Sequence, residues 1–207
     1  MTLVLIGDSH MEEAGLAPGL IDGLRTRGLE PVAVHTLRGK GVRWFLDEGR
    51  LDRILEVHRP TMLLVELGAN DVVRDASGRD YEEVLGEFVR KAKAAGASIV
   101  WVGPPHATNA EVDARHRAVT TVQSFFLPER GVPWIDARPM TSDLEHAPDG
   151  VHFRRTSYDE WAARLAPVVA REIKALERRK KLLPAVVGIV GGVIVGGAVG
   201  AIVAFSR

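Results

Sequence analysis

The chain has 207 residues, of which 46% are apolar, and its 27 basic and 27 acidic side chains leave no net charge. This length suits one domain with an appendage, and the balanced charge gives no field that would attract nucleic acid, so no nucleic-acid partner is expected. The absence of cysteine excludes disulfides and thiolate metal sites. No secretory leader is expected either, because the first predicted strand begins at residue 3.

Short apolar runs alternate with segments of helical periodicity along most of the chain. The runs predict five strands, at residues 3–6, 31–34, 61–67, 98–102 and 132–136. Helices are predicted over residues 18–27, 51–58, 81–95 and 109–127, and from about residue 156 onward. Strands that alternate with helices form βαβ units, so the fold class is α/β with a parallel sheet covered on both faces.

Residues that could take part in catalysis follow four of these strands. Ser9 follows the first strand, Gly41 the second and Asn70 the third, while Asp149 and His152 follow the fifth. Ligands of open parallel sheets bind at the carboxyl ends of the strands, so these residues are expected to lie close together. A serine hydroxyl is a weak nucleophile that needs an adjacent base. His152 would accept its proton, and Asp149 would hold the imidazole in the required tautomer.

Acyl transfer also needs hydrogen-bond donors where negative charge develops on the substrate oxygen. Three donors are available, namely the Ser9 amide, a glycine amide in the loop after the second strand, and the Asn70 side chain. Two glycines of that loop, Gly39 and Gly41, are candidates, and both lack the Cβ that would keep a substrate away. No metal and no cofactor are needed for this chemistry.

The Asp-x-x-His spacing occurs three times, at positions 113/116, 143/146 and 149/152. The first pair falls on a predicted helix, where such neighbours are common on solvated faces. Asp143 and His146 lie in the same loop as Asp149 and His152 and compete with them. The turn signal at residues 148–150 favours Asp149 and His152. Three other histidines near strand ends could line the pocket, namely His10, His35 and His106.

The motifs at residues 7–9 (GDS), 68–71 (GAND) and 149–152 (DGVH) resemble, in order and spacing, those of the SGNH (GDSL-like) hydrolases. The resemblance covers about residues 1–175. It implies a three-layer α/β/α sandwich with a flavodoxin-like, five-stranded parallel sheet in the order 2-1-3-4-5. It also implies metal-free hydrolysis of esters or thioesters by Ser9, Asp149 and His152. The family's spacing favours Gly41 over Gly39 in an oxyanion hole with Ser9 and Asn70.

The C-terminal segment differs in kind from the rest of the chain. Residues 182–205 carry no charge and, as a helix, would extend about 36 Å, enough to cross a bilayer. Residues 176–181 form a basic linker before this predicted transmembrane helix, and the excess of positive charge there predicts a cytoplasmic catalytic domain. Glycines recur every fourth residue at 188, 192, 196 and 200, a spacing typical of self-associating membrane helices.

The sequence thus predicts a membrane-anchored serine esterase whose partners are a small acyl ester and membrane lipid. One alternative is an O-acetyl esterase that acts on carbohydrate of the cell envelope. A second alternative is a membrane-associating or pore-forming protein whose SGNH-like domain binds an acyl ligand without catalysis. The complete set of Ser9, Asn70, Asp149 and His152 favours the enzyme, because a binding protein has no need of an activated nucleophile.

Overall fold

The computed structural model describes residues 1–75 and 77–194, with side chains up to residue 182. The chain divides into two compact units, Met1–Ile173 and Lys174–Arg207. The strands are β1 (Leu3–Gly7), β2 (Pro31–Thr36), β3 (Met62–Glu66), β4 (Ser98–Val102) and β5 (Trp134–Ile135). The helices are α1 (Ala17–Arg25), α2 (Val42–Asp47), α3 (Arg50–His58), α4 (Arg79–Ala94), α5 (Ala110–Glu129), α6 (Arg138–Thr141) and α7 (Arg155–Ile194).

The five strands form one parallel sheet in the order β2-β1-β3-β4-β5, which confirms the predicted topology. All five residues of β1 and all five of β3 are buried. Their unbroken apolar runs therefore reflect strands at the centre of the sheet, where helices cover both faces. The polar residues that follow β1 and β3 consequently emerge side by side.

Alternate side chains of the strands point to opposite faces, and each face has its own helices. Val4, Ile6, Leu63 and Val65 pack in one cluster with buried residues of α2, α3, α4 and α5. The opposite face is covered by α1 and the first part of α7, which approach closely because small residues face each other. A Cβ at Gly23, for example, would lie 2.6 Å from the Cβ of Ala166.

The structure differs from the sequence expectations at short elements. The fifth strand has two residues instead of the predicted five, and the helices α2 and α6 were not predicted. Both helices are six residues or shorter and have no side-chain N-cap, so the usual start signal is missing. Helix α2 matters for the site because Gly41 is its N-cap residue.

The second unit contains the predicted transmembrane segment. Within the part of the chain that the structure describes, no helix has a stretch long and apolar enough to cross a membrane. Residues 195–205 of the predicted span, which include Gly196 and Gly200, lie outside the described residues. The span and its glycine ridge therefore stay predictions.

Candidate active site

The turn after β1 presents Ser9 at the carboxyl edge of the sheet. The Met11 amide donates to the Asp8 carbonyl at 3.2 Å, and the His10 amide donates to Asp8 Oδ1 at 3.0 Å. A Cβ at Gly7 would lie 2.2 Å from the Cβ of Met11, so only glycine permits such a close approach. Asp8 and His10 are buried, whereas Ser9 is half-buried. Of the three residues Asp8, Ser9 and His10, the turn therefore exposes only Ser9 to solvent.

The Ser9 hydroxyl leads into a series of hydrogen bonds with a histidine and an aspartate. Ser9 Oγ is 2.9 Å from His152 Nε2, and His152 Nδ1 is 2.7 Å from Asp149 Oδ2. Asp149 Oδ1 accepts from the amides of Val151 and His152, both at 2.9 Å. Burial raises the pKa of Asp149, but the hydrogen bonds from the imidazole and the two amides outweigh it and lower the pKa to about 2. The ionised carboxylate can hold a proton on Nδ1 and leave Nε2 free to accept one from Ser9.

The loop that carries Asp149 and His152 is fixed against the start of α5. The Gly150 carbonyl accepts hydrogen bonds from the amides of Thr108 and Asn109 at 2.9 and 3.0 Å. Gly150 has a φ of 68°, and a Cβ there would lie 3.0 Å from the Asn109 nitrogen. A glycine is needed at this point because it allows both the left-handed conformation and the close packing. These contacts hold the loop in place, so that His152 lies beside Ser9.

The competing pair in the same loop has other partners. The Asp143 carboxylate is held by Arg164 through bonds of 2.6 and 2.8 Å. His146 Nε2 is 3.1 Å from the carbonyl oxygen of His106, and the His146 ring packs on Phe153 with centroids 4.3 Å apart. Asp143 and His146 therefore do not form a dyad with each other.

The pair on α5, Asp113 and His116, is buried, and both side chains bind other residues. Asp113 accepts from Arg117 at 2.8 Å and from Arg138 at 2.9 Å, and these bonds lower its pKa to about 2 against the opposing effect of burial. His116 Nδ1 is 2.8 Å from the Pro105 carbonyl oxygen. These contacts join α5 to the loop after β4 and to the start of α6, which is a structural role.

A buried carboxylate holds the Asn70 side chain. Asn70 Nδ2 donates to Asp8 Oδ2 at 3.0 Å. Asp8 is fully buried, and burial raises its pKa to about 7. Among the described residues, Asp8 is the partner of one N–H of this amide, so the second N–H is available to a substrate oxygen. Sequence reasoning selected Asn70 but missed the part of Asp8, which it treated only as a turn residue.

The two candidate glycines have different surroundings. A Cβ at Gly41 would lie 2.3 Å from Oδ1 of Asp71, the residue that follows Asn70. Gly39 has a φ of 70°, and a Cβ there would meet no atom within 4 Å. Both glycines and Asn70 line a cavity of about 330 Å³. Gly41 is thus packed into the site beside the Asn70 segment, whereas Gly39 shapes the exposed turn before it.

His10 lies behind His152 instead of lining a pocket. The two ring centroids are 5.1 Å apart, and His10 Nδ1 is 3.0 Å from the Tyr158 hydroxyl oxygen. Burial lowers the pKa of His10 well below its usual value, so the ring is neutral and places no positive charge beside His152. His35 lies on the outer strand β2 and pairs with His58 at the end of α3, with the two Nε2 atoms 2.8 Å apart.

A third buried acid, Glu66, ends β3 beside Gly7 in the register. Burial and the nearby charge of Asp8 raise its pKa well above the usual value, while a hydrogen bond from the Asp8 backbone opposes the rise. A pKa raised by burial favours the neutral form of this carboxyl group. Among all the residues that the structure describes, no group of three or more His, Asp or Glu side chains is arranged to hold a metal ion.

Comparison with known proteins gives a family match over most of the chain. The profile of the GDSL-like Lipase/Acylhydrolase family matches residues 5–173. No curated protein sequence matches the chain.

Several solved structures share the fold. A lipase/acylhydrolase from Enterococcus faecalis is 22% identical, with 84% of this chain and 96% of that chain covered and a TM-score of 0.66. An acetyl-xylooligosaccharide esterase from Geobacillus stearothermophilus is 19% identical, with coverage of 83% and 93% and a TM-score of 0.63. TesA is 20% identical, with coverage of 81% and 97% and a TM-score of 0.66. At these identities the likeness concerns the fold.

Proposed function

Because the chain belongs to the GDSL-like lipase/acylhydrolase family and is an ester-hydrolysing enzyme, we propose that it is a serine esterase that uses Ser9 as nucleophile. The observation that carries this proposal is the continuous series from Ser9 Oγ through His152 to Asp149, with separations of 2.9 and 2.7 Å. Nucleophile, base and orienting acid are thereby within hydrogen-bond distance before substrate binds.

The reaction then proceeds in two halves. Ser9 Oγ attacks the acyl carbonyl carbon while His152 Nε2 takes the hydroxyl proton. The C–O or C–S bond of the substrate breaks, and the imidazolium returns the proton to the departing alcohol or thiol. Water attacks the acyl-serine through the same base, which releases the carboxylic acid and restores the Ser9 hydroxyl. Asp149 stays ionised throughout and stabilises the transient imidazolium.

The negative charge on the tetrahedral intermediate needs donors that are already in place. We assign this role to the amides of Ser9 and Gly41 and to the free N–H of Asn70. Neither the Ser9 amide nor the Gly41 amide donates a hydrogen bond to another described residue. Asp8 supports the assignment because its bond to Asn70 fixes the side-chain rotamer without using both N–H groups.

The test uses the full-length protein, a fluorophosphonate label and p-nitrophenyl esters of graded chain length. Wild type should be labelled and should hydrolyse at least one ester, and Ser9→Ala should lose both properties while it keeps its fold. His152→Ala should be as inactive as Ser9→Ala, because triad members act as a unit. His146→Ala provides the matched control and should stay active. A wild type that neither labels nor turns over would contradict the esterase proposal.

The same ester series addresses the substrate. Hydrolysis of medium or long chains would support a lipid or acyl-thioester substrate, which is the class we favour for a membrane-anchored enzyme. Strict preference for acetyl would instead support the O-acetyl esterase alternative, the activity class named for the Geobacillus structure. Binding of acyl ligand without turnover would support the non-catalytic alternative.

Membrane attachment and self-association form a separate part of the proposal. We propose that residues 182–205 anchor the protein with its catalytic domain in the cytoplasm, held by the exposed basic residues 178–181. Protease added to intact spheroplasts should leave the catalytic domain uncut, and its digestion would contradict this topology. Leucine at the four ridge glycines should abolish chemical cross-linking between copies if the ridge mediates self-association.

A further inference from the structure

A buried polar network leads from the core to the loop that carries the proposed oxyanion glycine. It consists of Asp71 from the loop after β3, Tyr81 from α4 and Gln123 from α5, and is called here the Asp71–Tyr81–Gln123 network. The three side chains are 7%, 2% and 0% exposed. Burial of such polar groups costs free energy of folding unless each group has a hydrogen-bond partner. The partners of the three side chains therefore show which parts of the structure the network connects.

The outer end of the network binds the start of α2. The Val42 amide donates to Asp71 Oδ1 at 2.9 Å and to Oδ2 at 3.2 Å. Val42 is the first residue of α2, and Gly41 immediately precedes it. A Cβ at Gly41 would lie within 3.0 Å of all three carboxyl-group atoms of Asp71, so the carboxylate packs directly on the glycine. Asp71 thus determines where the Gly41–Val42 backbone lies.

The inner end ties Asp71 to the sheet. The Tyr81 hydroxyl donates to Asp71 Oδ2 at 3.3 Å, and Gln123 Nε2 donates to the Tyr81 oxygen at 2.9 Å. Gln123 Nε2 also donates to the Leu67 carbonyl at 2.9 Å, and Gln123 Oε1 accepts from Trp134 Nε1 at 3.3 Å. The amide group of Gln123 is therefore bound to Tyr81 of α4, to Leu67 after the end of β3, and to Trp134 at the start of β5.

We propose that the Asp71–Tyr81–Gln123 network positions the Gly41 amide for the oxyanion, with Asp71 as the residue that acts on the glycine loop. This inference rests on the proposed esterase function and extends it to residues that touch no reacting atom. Helix α2 has only six residues and no side-chain cap, so its own hydrogen bonds hold its start weakly. The carboxylate of Asp71 supplies the missing anchor, and Tyr81 and Gln123 connect that anchor to the rigid centre of the sheet.

The electrostatics of Asp71 agree with this arrangement. Burial raises the pKa of Asp71 to about 7, while the Val42 amide and the Tyr81 hydroxyl oppose the rise. The donors that lower the pKa are therefore the same groups that link the core to α2. Oxyanion donors act when they are preorganised, and a misplacement of about 1 Å can cost about a hundredfold in rate.

The experiment compares Asp71→Ala, Asp71→Asn and Tyr81→Phe in the full-length protein. Asp71→Ala should lower kcat by about a hundredfold with KM little changed, because a misplaced donor weakens the transition state. Tyr81→Phe removes the link but leaves the carboxylate, so its loss of kcat should be about tenfold or less. Asp71→Asn retains an oxygen for the Val42 amide and should recover most of the activity lost in Asp71→Ala.

Two further measurements separate positioning from a general loss of stability. The Ki of an alkyl boronic acid, whose adduct with Ser9 resembles the tetrahedral intermediate, should rise in parallel with the fall in kcat. Val89→Ala serves as the matched control, because Val89 is buried in the same helix as Tyr81 and is absent from the network. It should lower Tm without changing kcat or this Ki. Losses of Tm in Asp71→Ala and Tyr81→Phe with unchanged kcat and Ki would overturn the proposal.

Hydrogen exchange of the Val42 amide gives a readout that needs no turnover. Exchange should be slow in wild type and in Asp71→Asn, and faster in Asp71→Ala. If wild type hydrolyses no ester, the esterase proposal fails by itself, and the exchange rates still decide whether Asp71 holds this backbone. Equal exchange in wild type and Asp71→Ala would overturn the positioning role.

Discussion

Replacement of Asp149 by asparagine tests the assignment of the orienting acid with little change in shape. Asp149 Oδ1 accepts two backbone amides at 2.9 Å, while Oδ2 faces the Nδ1 atom of His152 at 2.7 Å. In Asp149→Asn the amide oxygen should stay with the two backbone donors, because an NH₂ group there would oppose two N–H groups. The NH₂ group then faces Nδ1, which must become an acceptor. The imidazole proton moves to Nε2, where it points at Ser9 Oγ and prevents proton transfer.

The expected cost is a loss of about 10³–10⁴ in kcat, or about 4–5.5 kcal/mol of barrier, since the base is held in the wrong tautomer. The stability cost should stay below about 1 kcal/mol, because the Asp149 side chain is 50% exposed and solvent screens its charge. The wild-type pKa of about 2 keeps Asp149 ionised above about pH 4, so protonation of Asp149 in the wild type does not mask the deficit at an assay pH of about 7 to 9.

The assay is hydrolysis of the best p-nitrophenyl ester by wild type, Asp149→Asn and Asp143→Asn, with Tm measured for each. Asp143 is a matched control because it is an exposed aspartate of the same loop that binds Arg164 and not His146. Its variant should keep activity within about twofold. Near-normal activity in Asp149→Asn, or loss of activity only in Asp143→Asn, would refute the assignment.

Asn70→Ala should lower kcat by about 10²–10³ with little change in KM, whereas a pure KM effect would show that Asn70 binds the ground state. Gly41→Ala should lose most activity in the same assay because its Cβ would lie 2.3 Å from Asp71 Oδ1, while Gly39→Ala should keep activity and cost about 1 kcal/mol of folding free energy through its φ of 70°. Burial raises the pKa of Asp8 and of Asp71 to about 7 from 3.8, so the stability that they contribute is complete below about pH 4 and is lost as pH rises through 7. Urea titrations at pH 5 and pH 8 should show a lower free energy of unfolding at pH 8, by several kcal/mol at about 1.4 kcal/mol per pKa unit, and equal values would contradict this.

The hydrophobic pattern of the sequence was sufficient for the sheet. Central strands are buried on both faces and read as unbroken apolar runs, so β1, β3 and β4 could be located, and β4 (Ser98–Val102) has the predicted bounds. Parallel strands place their carboxyl ends at one edge, so the pattern also indicated that Ser9 and Asn70 would be neighbours. The helices α2 and α6 escaped prediction because four to six residues carry too few periodic positions and neither helix has a side-chain N-cap.

The pairing of acids with their partners depended on tertiary contacts. Asp143 and Asp149 have the same spacing to a histidine, and the turn signal favoured Asp149. The structure adds that Arg164 of α7 binds Asp143, while Asp149 binds His152. The contact between Asp143 and Arg164 joins residues that are distant in sequence, and no local pattern could have indicated it. The family's spacing favoured Gly41 over Gly39, and the structure adds that Asp71 packs against Gly41.

The support behind the site could be recognised only in three dimensions. Tyr81 and Gln123 lie at positions that the sequence indicates merely as parts of helices, and 42 residues separate them. Hydrogen bonding between such residues depends on how α4 and α5 pack, and the helical period carries no information about that. The sequence by itself therefore determined the sheet and the residues at its edge, because burial and strand direction are written in local patterns. The tertiary structure decided that Arg164 binds the competing Asp143 and which buried groups hold the glycine loop, because each of these hydrogen bonds joins distant segments.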